Sequence, residues 1–182
     1  MKFREKSKIM DKEAMDRTMT RMAHEILEKH KGAEDLAIIG IKTRGAYLAQ
    51  RLATTIERIE NKKVPVGALD ITLYRDDLSE ISYKPQVQPT QIDFHITGKN
   101  IILVDDVLFT GRTIRCALDE LVDFGRPKNI QLAVLIDRGH RELPIKADYI
   151  GKNVPTAKAE NIQVKLRETD GKDEIVVEEL AP

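Results

Sequence analysis

The chain has 182 residues, enough for one domain of ordinary size that buries a core without disulfides. Its 30 basic and 30 acidic residues cancel, which argues against indiscriminate attraction to nucleic acid, DNA included, and four Phe, four Tyr and no Trp leave little for a base-stacking platform. A single cysteine, Cys116, excludes an internal disulfide, and with neither a signal peptide nor an apolar run of membrane-spanning length the chain reads as cytoplasmic, with no membrane partner.

Residues 11–31 read as a helix whose apolar face is Met15, Met19, Met22, Ala23, Ile26 and Leu27, stopped by Gly32. Leu36–Ile41 is an apolar run suited to a buried strand, followed by Lys42-Thr43-Arg44-Gly45 and a helix over about 46–60. Residues 64–71 form a second strand, with Pro65 at an edge or entry point. The polar connection 72–98 is of a length that in a compact domain is usually functional or mobile. Residues 101–105 make a short buried strand and 111–124 a helix capped by Gly125, with Pro127 beyond; 130–136 is another buried strand. After residue 150 the pattern changes: Ile162, Val164 and Leu166 alternate, Asp170-Gly171 marks a hairpin turn, and 175–177 returns. This order predicts an α/β fold with a mostly parallel sheet flanked by helices, in one domain over 1–182. The C-terminal hairpin belongs to a small hood over about 138–182.

The segment at 101–113 carries the chemistry. Its strand ends at Asp105 and Asp106, and the turn through Val107, Leu108, Phe109, Thr110, Gly111, Arg112 and Thr113 opens a helix. Ligands of open α/β sheets bind outside the carboxyl ends of the strands, and a helix start offers free N–H groups and a positive dipole end to a phosphate. Gly111 admits the anion to the backbone, and the hydroxyls of Thr110 and Thr113 donate to it. Two carboxylates repel a phosphate but accept hydrogen bonds from the sugar hydroxyls beside it. The inferred ligand is a sugar phosphate. A second strand–loop–helix junction at Lys42-Thr43-Arg44-Gly45 repeats this geometry with basic residues and suits a diphosphate.

Arg17, Arg21, His24 and Lys31 fall within roughly 80° of one another on the first helix, with Thr20 at the border. His140, Arg141, Lys146, Lys152 and Lys158 form a second basic cluster. A basic stripe is ordinarily the solvated side of a helix.

The whole stretch at 101–113 resembles the phosphoribosyl pyrophosphate (PRPP) signature of type I phosphoribosyltransferases. Further stretches, at 40–45, 70–78, 137–145 and 151–156, are similar to the branch of that family that combines regulation of pyrimidine-operon attenuation with uracil phosphoribosyl transfer. The resemblance runs from about residue 14 to 166. It implies uracil plus PRPP giving UMP plus diphosphate, with Mg²⁺ accompanying PRPP beside Asp105 and Asp106. It implies that Thr43 and Arg44 bind the diphosphate and that Arg138 and the backbone near Ile162 hold the uracil. Arg75, in a loop that closes over substrate, reaches the diphosphate, while Asp76 and Asp77 touch magnesium or merely solvate the loop. In purine-specific relatives an acidic residue commonly stands at the position of Phe109, so a purine substrate is disfavoured. It further implies a homodimer or higher oligomer that binds pyrimidine-operon leader mRNA in response to UMP, through Arg17, Thr20, Arg21, His24, His140, Arg141, Lys146 and Lys152. The alternative is a plain pyrimidine salvage enzyme whose basic patches are ordinary surface.

Overall fold

Why the loops at residues 42–45 and 109–113 lie side by side follows from the order of strands in the main sheet. The structure is a computed structural model that describes residues 3–72 and 89–180; Arg75, Asp76 and Asp77 lie outside the described residues. The main sheet is parallel, in the order β3 (Val66–Leu69), β2 (Leu36–Ile41), β4 (Asn100–Leu108), β5 (Asn129–Asp137) and β6 (Tyr149–Asn153). β2 and β4 are central neighbours, and each ends in one of the loops singled out by sequence. Pro65 precedes β3, an edge strand, where a missing N–H donor costs least.

Alternation along the buried strands divides the core in two. Ile102 and Val104 of β4 face α1 (Lys12–His30) and α2 (Arg44–Glu60), while Ile101, Leu103 and Leu108 face α3 (Arg112–Leu121). The six residues expected on the apolar face of the first helix are the six that α1 buries. Asp11 caps α1 by accepting from Ala14 N–H at 2.8 Å, and Lys31, in the left-handed region at φ 57°, closes it one residue before the expected Gly32.

Two departures from the sequence expectation matter. β4 does not end at Asp105: it runs on to Leu108, because Asp105, Val107 and Leu108 keep their register with Val134, Ile136 and Asp137 of β5. The second sheet draws on both ends of the chain, in the order β1 (Phe3–Met10), β8 (Glu174–Leu180), β7 (Asn161–Lys165). β1 carries no apolar alternation because it is an exposed, charged edge strand. Within residues 138–182, β6 joins the main sheet, and β7 and β8 form the antiparallel hairpin, linked by α4 (Arg167–Asp170) and Gly171. Ile162, Val164, Leu166, Ile175 and Val177 of this hood continue the core that α1 and α2 cover. Among the described residues no helix is long and apolar enough to cross a membrane.

Candidate active site

Gly45, at the start of α2, sits against the backbone of β4 beside Asp105. Gly40 of β2 has the Gly45 backbone directly above it: a Cβ there would lie 2.2 Å from the Gly45 carbonyl oxygen. Two missing side chains therefore let α2 start immediately beside the acids of the neighbouring strand. This is the physical role of the flanking glycines in Gly40-Ile41-Lys42-Thr43-Arg44-Gly45.

Asp105 is buried, and Asp106 beside it is half-buried. Asp105 Oδ1 accepts from Asp106 N–H at 2.9 Å, and Asp106 Oδ1 accepts from Val107 N–H at 2.9 Å. Burial, and then the neighbouring Asp106 carboxylate, push Asp105 well above the usual carboxylate range. A carboxyl so placed gains from a hydroxyl donor or a cation.

Gly111, at φ 94°, is the residue before α3, and no side chain caps that helix. Thr110 and Thr113 flank it, and Arg112 N–H meets Thr110 Oγ1 at 3.3 Å. The segment after β5 braces this loop from behind. The carbonyl oxygens of Leu108, Phe109 and Thr110 accept, in turn, from Arg138 N–H (3.1 Å), Arg141 Nη1 (2.7 Å) and both Glu142 N–H (2.9 Å) and Leu143 N–H (3.2 Å). Arg112 Nε pairs with Glu142 at 2.7 Å.

At the second loop, Thr43 is exposed, Arg44 opens α2 and the Lys42–Thr43 peptide is cis. Arg44 Nη2 donates to the Asp170 carboxylate at 3.0 Å, while its Nε is buried with no acceptor among the described residues. Lys42 Nζ donates to Pro89 O at 2.6 Å, tying this loop to the 72–98 connection.

Arg138 is buried. It stacks its guanidinium over the Phe109 ring at 4.1 Å and donates to Thr156 Oγ1 (3.0 Å), Ala157 O (3.2 Å) and Glu160 O (2.6 Å). It therefore joins the loop before α3 to the approach to β7, where Ile162 is buried.

The Phosphoribosyl transferase domain model matches residues 6–169. The chain is 57% identical to the bifunctional protein PyrR of Pelotomaculum thermopropionicum over 98% of both chains, and 60% identical to that of Thermus thermophilus over 95% of this chain and 96% of the relative. The chain belongs to the PyrR family of phosphoribosyltransferases. A solved hypoxanthine phosphoribosyltransferase of Staphylococcus aureus is similar in fold, with a TM-score of 0.71 at 19% identity over 98% of this chain and 94% of that one. The Trypanosoma cruzi hypoxanthine phosphoribosyltransferase in complex with IMP gives 0.72 at 18% identity over 96% and 91%. At such identity these two likenesses carry the fold alone.

In this PyrR-family chain one residue of the second basic cluster, Lys152, comes beside the first cluster within one molecule. Arg17 and Arg21 of α1 and Lys152 at the end of β6 line one groove of about 410 Å³. Arg21 is anchored there by Gly151 O (2.5 Å) and Ile150 O (3.2 Å), and pairs with Glu25 at 2.6 Å. Thr20 turns its hydroxyl back to Asp16 O and faces a separate groove with Tyr47 and Arg51. His24 and Lys146 are exposed. His140 and Arg141 are half-buried: His140 Nε2 lies 2.6 Å from Thr156 O and its ring meets the Phe109 edge at 5.9 Å, while Arg141 Nη2 pairs with Asp137 at 2.5 Å. Sequence reasoning missed the Asp170 partner of Arg44, the stack on Phe109 and the brace from Arg141. Each joins residues far apart in the chain and leaves no local pattern.

Proposed function

We propose that the chain transfers the phosphoribosyl group of PRPP to uracil, giving UMP and diphosphate, and that it binds pyrimidine-operon leader mRNA in a UMP-responsive manner. The observation that carries this reading is the convergence of Asp105, Asp106, the start of α3 and the loop at Lys42-Thr43-Arg44-Gly45 at the ends of adjacent strands. Departure of diphosphate from the anomeric carbon builds positive charge on the ribose, as in glycoside cleavage. Asp105 and Asp106 accept from the ribose hydroxyls and stabilise that charge, the backbone at residues 110–113 holds the 5′-phosphate, and Thr43 with Arg44 takes the diphosphate. Arg75, outside the described residues, is assigned to the same diphosphate.

Mg²⁺ fits this site as an ion carried by PRPP. Asp105 and Asp106 each give one carboxylate oxygen to a backbone N–H and would meet the ion indirectly, through the PRPP that carries it, and no group of three or more His, Cys, Asp or Glu among the described residues forms a cage. When bound, the ion neutralises charge on the diphosphate.

Uracil sits between the Phe109–Arg138 stack and the backbone near Ile162. Phe109 offers no carboxylate to a purine ring, so uracil is used and hypoxanthine, guanine and adenine are not. The RNA surface consists of Arg17, Thr20, Arg21, His24, His140, Arg141, Lys146 and Lys152, with the Arg17–Arg21–Lys152 groove at its centre. The protein works as a homodimer or higher oligomer, and its place is the cytoplasm. The test is a filter-binding titration against a pyr leader hairpin with and without UMP. Tighter binding with UMP, and weak binding of a scrambled hairpin, is expected. Equal binding of both hairpins leaves only the salvage enzyme.

A further inference from the structure

The brace behind the phosphate loop has a consequence for regulation. A peptide group is rigid and planar, and its N–H and C=O point to opposite sides. The N–H of Thr110 belongs to the same peptide as the Phe109 carbonyl, and the N–H of Gly111 to the same peptide as the Thr110 carbonyl. Those two carbonyls accept from Arg141 Nη1 at 2.7 Å and from the N–H groups of Glu142 and Leu143 at 2.9 and 3.2 Å. An anion on one side of these peptides and the segment 138–145 on the other thus share the same two amide groups. Hydrogen bonds at the two ends of an amide polarise it in the same sense and reinforce one another.

The segment is held at further points, so a change at the carbonyls is not absorbed locally. Arg141 Nη2 pairs with Asp137, Gly139 N–H donates to Asp137 Oδ1 at 2.9 Å, and His140 is fixed at φ 62° between the Phe109 ring and Thr156 O.

We propose that the Phe109–Thr110 and Thr110–Gly111 peptides are the element that couples the nucleotide phosphate to the RNA-facing segment. This rests on the functional reading above and adds its route. A phosphate on the N–H side strengthens the bonds to Arg141, Glu142 and Leu143, and so orders the segment that presents His140, Arg141 and Lys146 to RNA. Linkage requires the converse: leader RNA tightens UMP by the same factor.

The experiment measures leader-hairpin affinity with and without saturating UMP for the wild type, Arg141→Lys, Glu142→Pro and Lys152→Gln. Lysine keeps the charge of Arg141 but lacks the fork that reaches Phe109 O and Asp137 together. Proline removes the Glu142 N–H. The wild-type ratio of affinities should be about fivefold or more, in the ordinary range for allosteric coupling. It should fall toward one in Arg141→Lys and Glu142→Pro. Lys152→Gln, whose side chain lines the groove with Arg17 and Arg21 and takes no part in the brace, should weaken RNA with the ratio kept. Hydrogen exchange supplies a readout without RNA: UMP should slow the amides of Glu142 and Leu143 in the wild type. If the wild type shows a UMP effect on RNA but both brace variants keep the ratio, or those amides do not slow, this inference falls and the functional reading stands. If the wild type shows no leader binding or no UMP effect, the regulatory half of the functional reading falls and takes the inference with it.

Discussion

Gly45 lies so close to β4 that a Cβ on it would stand 2.5 Å from the carbonyl oxygen of Val104 and 3.2 Å from the Cα of Asp105. The contact is backbone against backbone, so no flexible side chain can yield. Alanine at 45 must push the start of α2, and with it Thr43 and Arg44, away from the acids. Gly45→Ala should therefore cost about 3 kcal/mol or more, above the usual range for overpacking. It should also raise the KM for PRPP more than that for uracil. Thermal melts and initial rates check both, and a variant with wild-type melting and PRPP affinity would contradict the packing account.

Glu174 ties the hood together. Its carboxylate meets Lys172 at 2.5 Å, Lys165 of β7 at 2.9 Å and Lys8 of β1 at 3.2 Å, and hydrogen bonds, that of Lys172 first, draw it down to about 2. A folded-state pKa below the unfolded one contributes stability that is present above the unfolded carboxylate range and is lost as pH falls toward 2. Glu174→Gln should thus melt lower than the wild type at neutral pH, with the gap closing on acidification. Added salt should shrink the gap too, since Lys8 and Lys172 are solvent-exposed.

Asp105 runs the other way. Its burial and its neighbour Asp106 hold it well above the usual range, so the folded state releases this proton at a higher pH than the unfolded chain does. That contribution is present below the unfolded carboxylate range and is lost as pH rises through the folded pKa. Asn at 105 keeps the acceptor for Asp106 N–H and removes the charge. Asp105→Asn should melt a few degrees higher than the wild type at pH 7 to 8 and no higher in acid, the mark of a site that trades stability for function. A lower melting point at neutral pH would show that the carboxylate stabilises the fold.

The parts of the fold and site that were legible are those written in local patterns. The methionine-rich face of α1, the apolar runs of β2 and β4, and the turns into α2 and α3 each occupy a few consecutive or periodic residues. β1 was hidden because an edge strand that faces solvent needs charge, and Arg4, Glu5, Lys6 and Lys8 erase the alternation. The extension of β4 past Asp105 depends on its pairing with β5, which no local pattern encodes. Arg44 and Asp170, 126 residues apart, and Arg141 and Phe109, 32 apart, are joined only by the fold. Arg141 in particular reads as a surface cation in sequence, yet it braces the loop before α3 through Phe109 O and Asp137.

The central claim is that Asp105 and Asp106 belong to a PRPP site serving uracil. The direct measurement is formation of UMP from uracil, PRPP and Mg²⁺ by the wild type and by the Asp105→Asn, Asp106→Asn double variant, with folding of both checked by circular dichroism. The expected result is UMP formation by the wild type, no product from hypoxanthine, guanine or adenine, and a folded double variant that has lost most of its turnover. Undiminished uracil turnover by the double variant, or purine turnover by the wild type comparable with that of uracil, would contradict it.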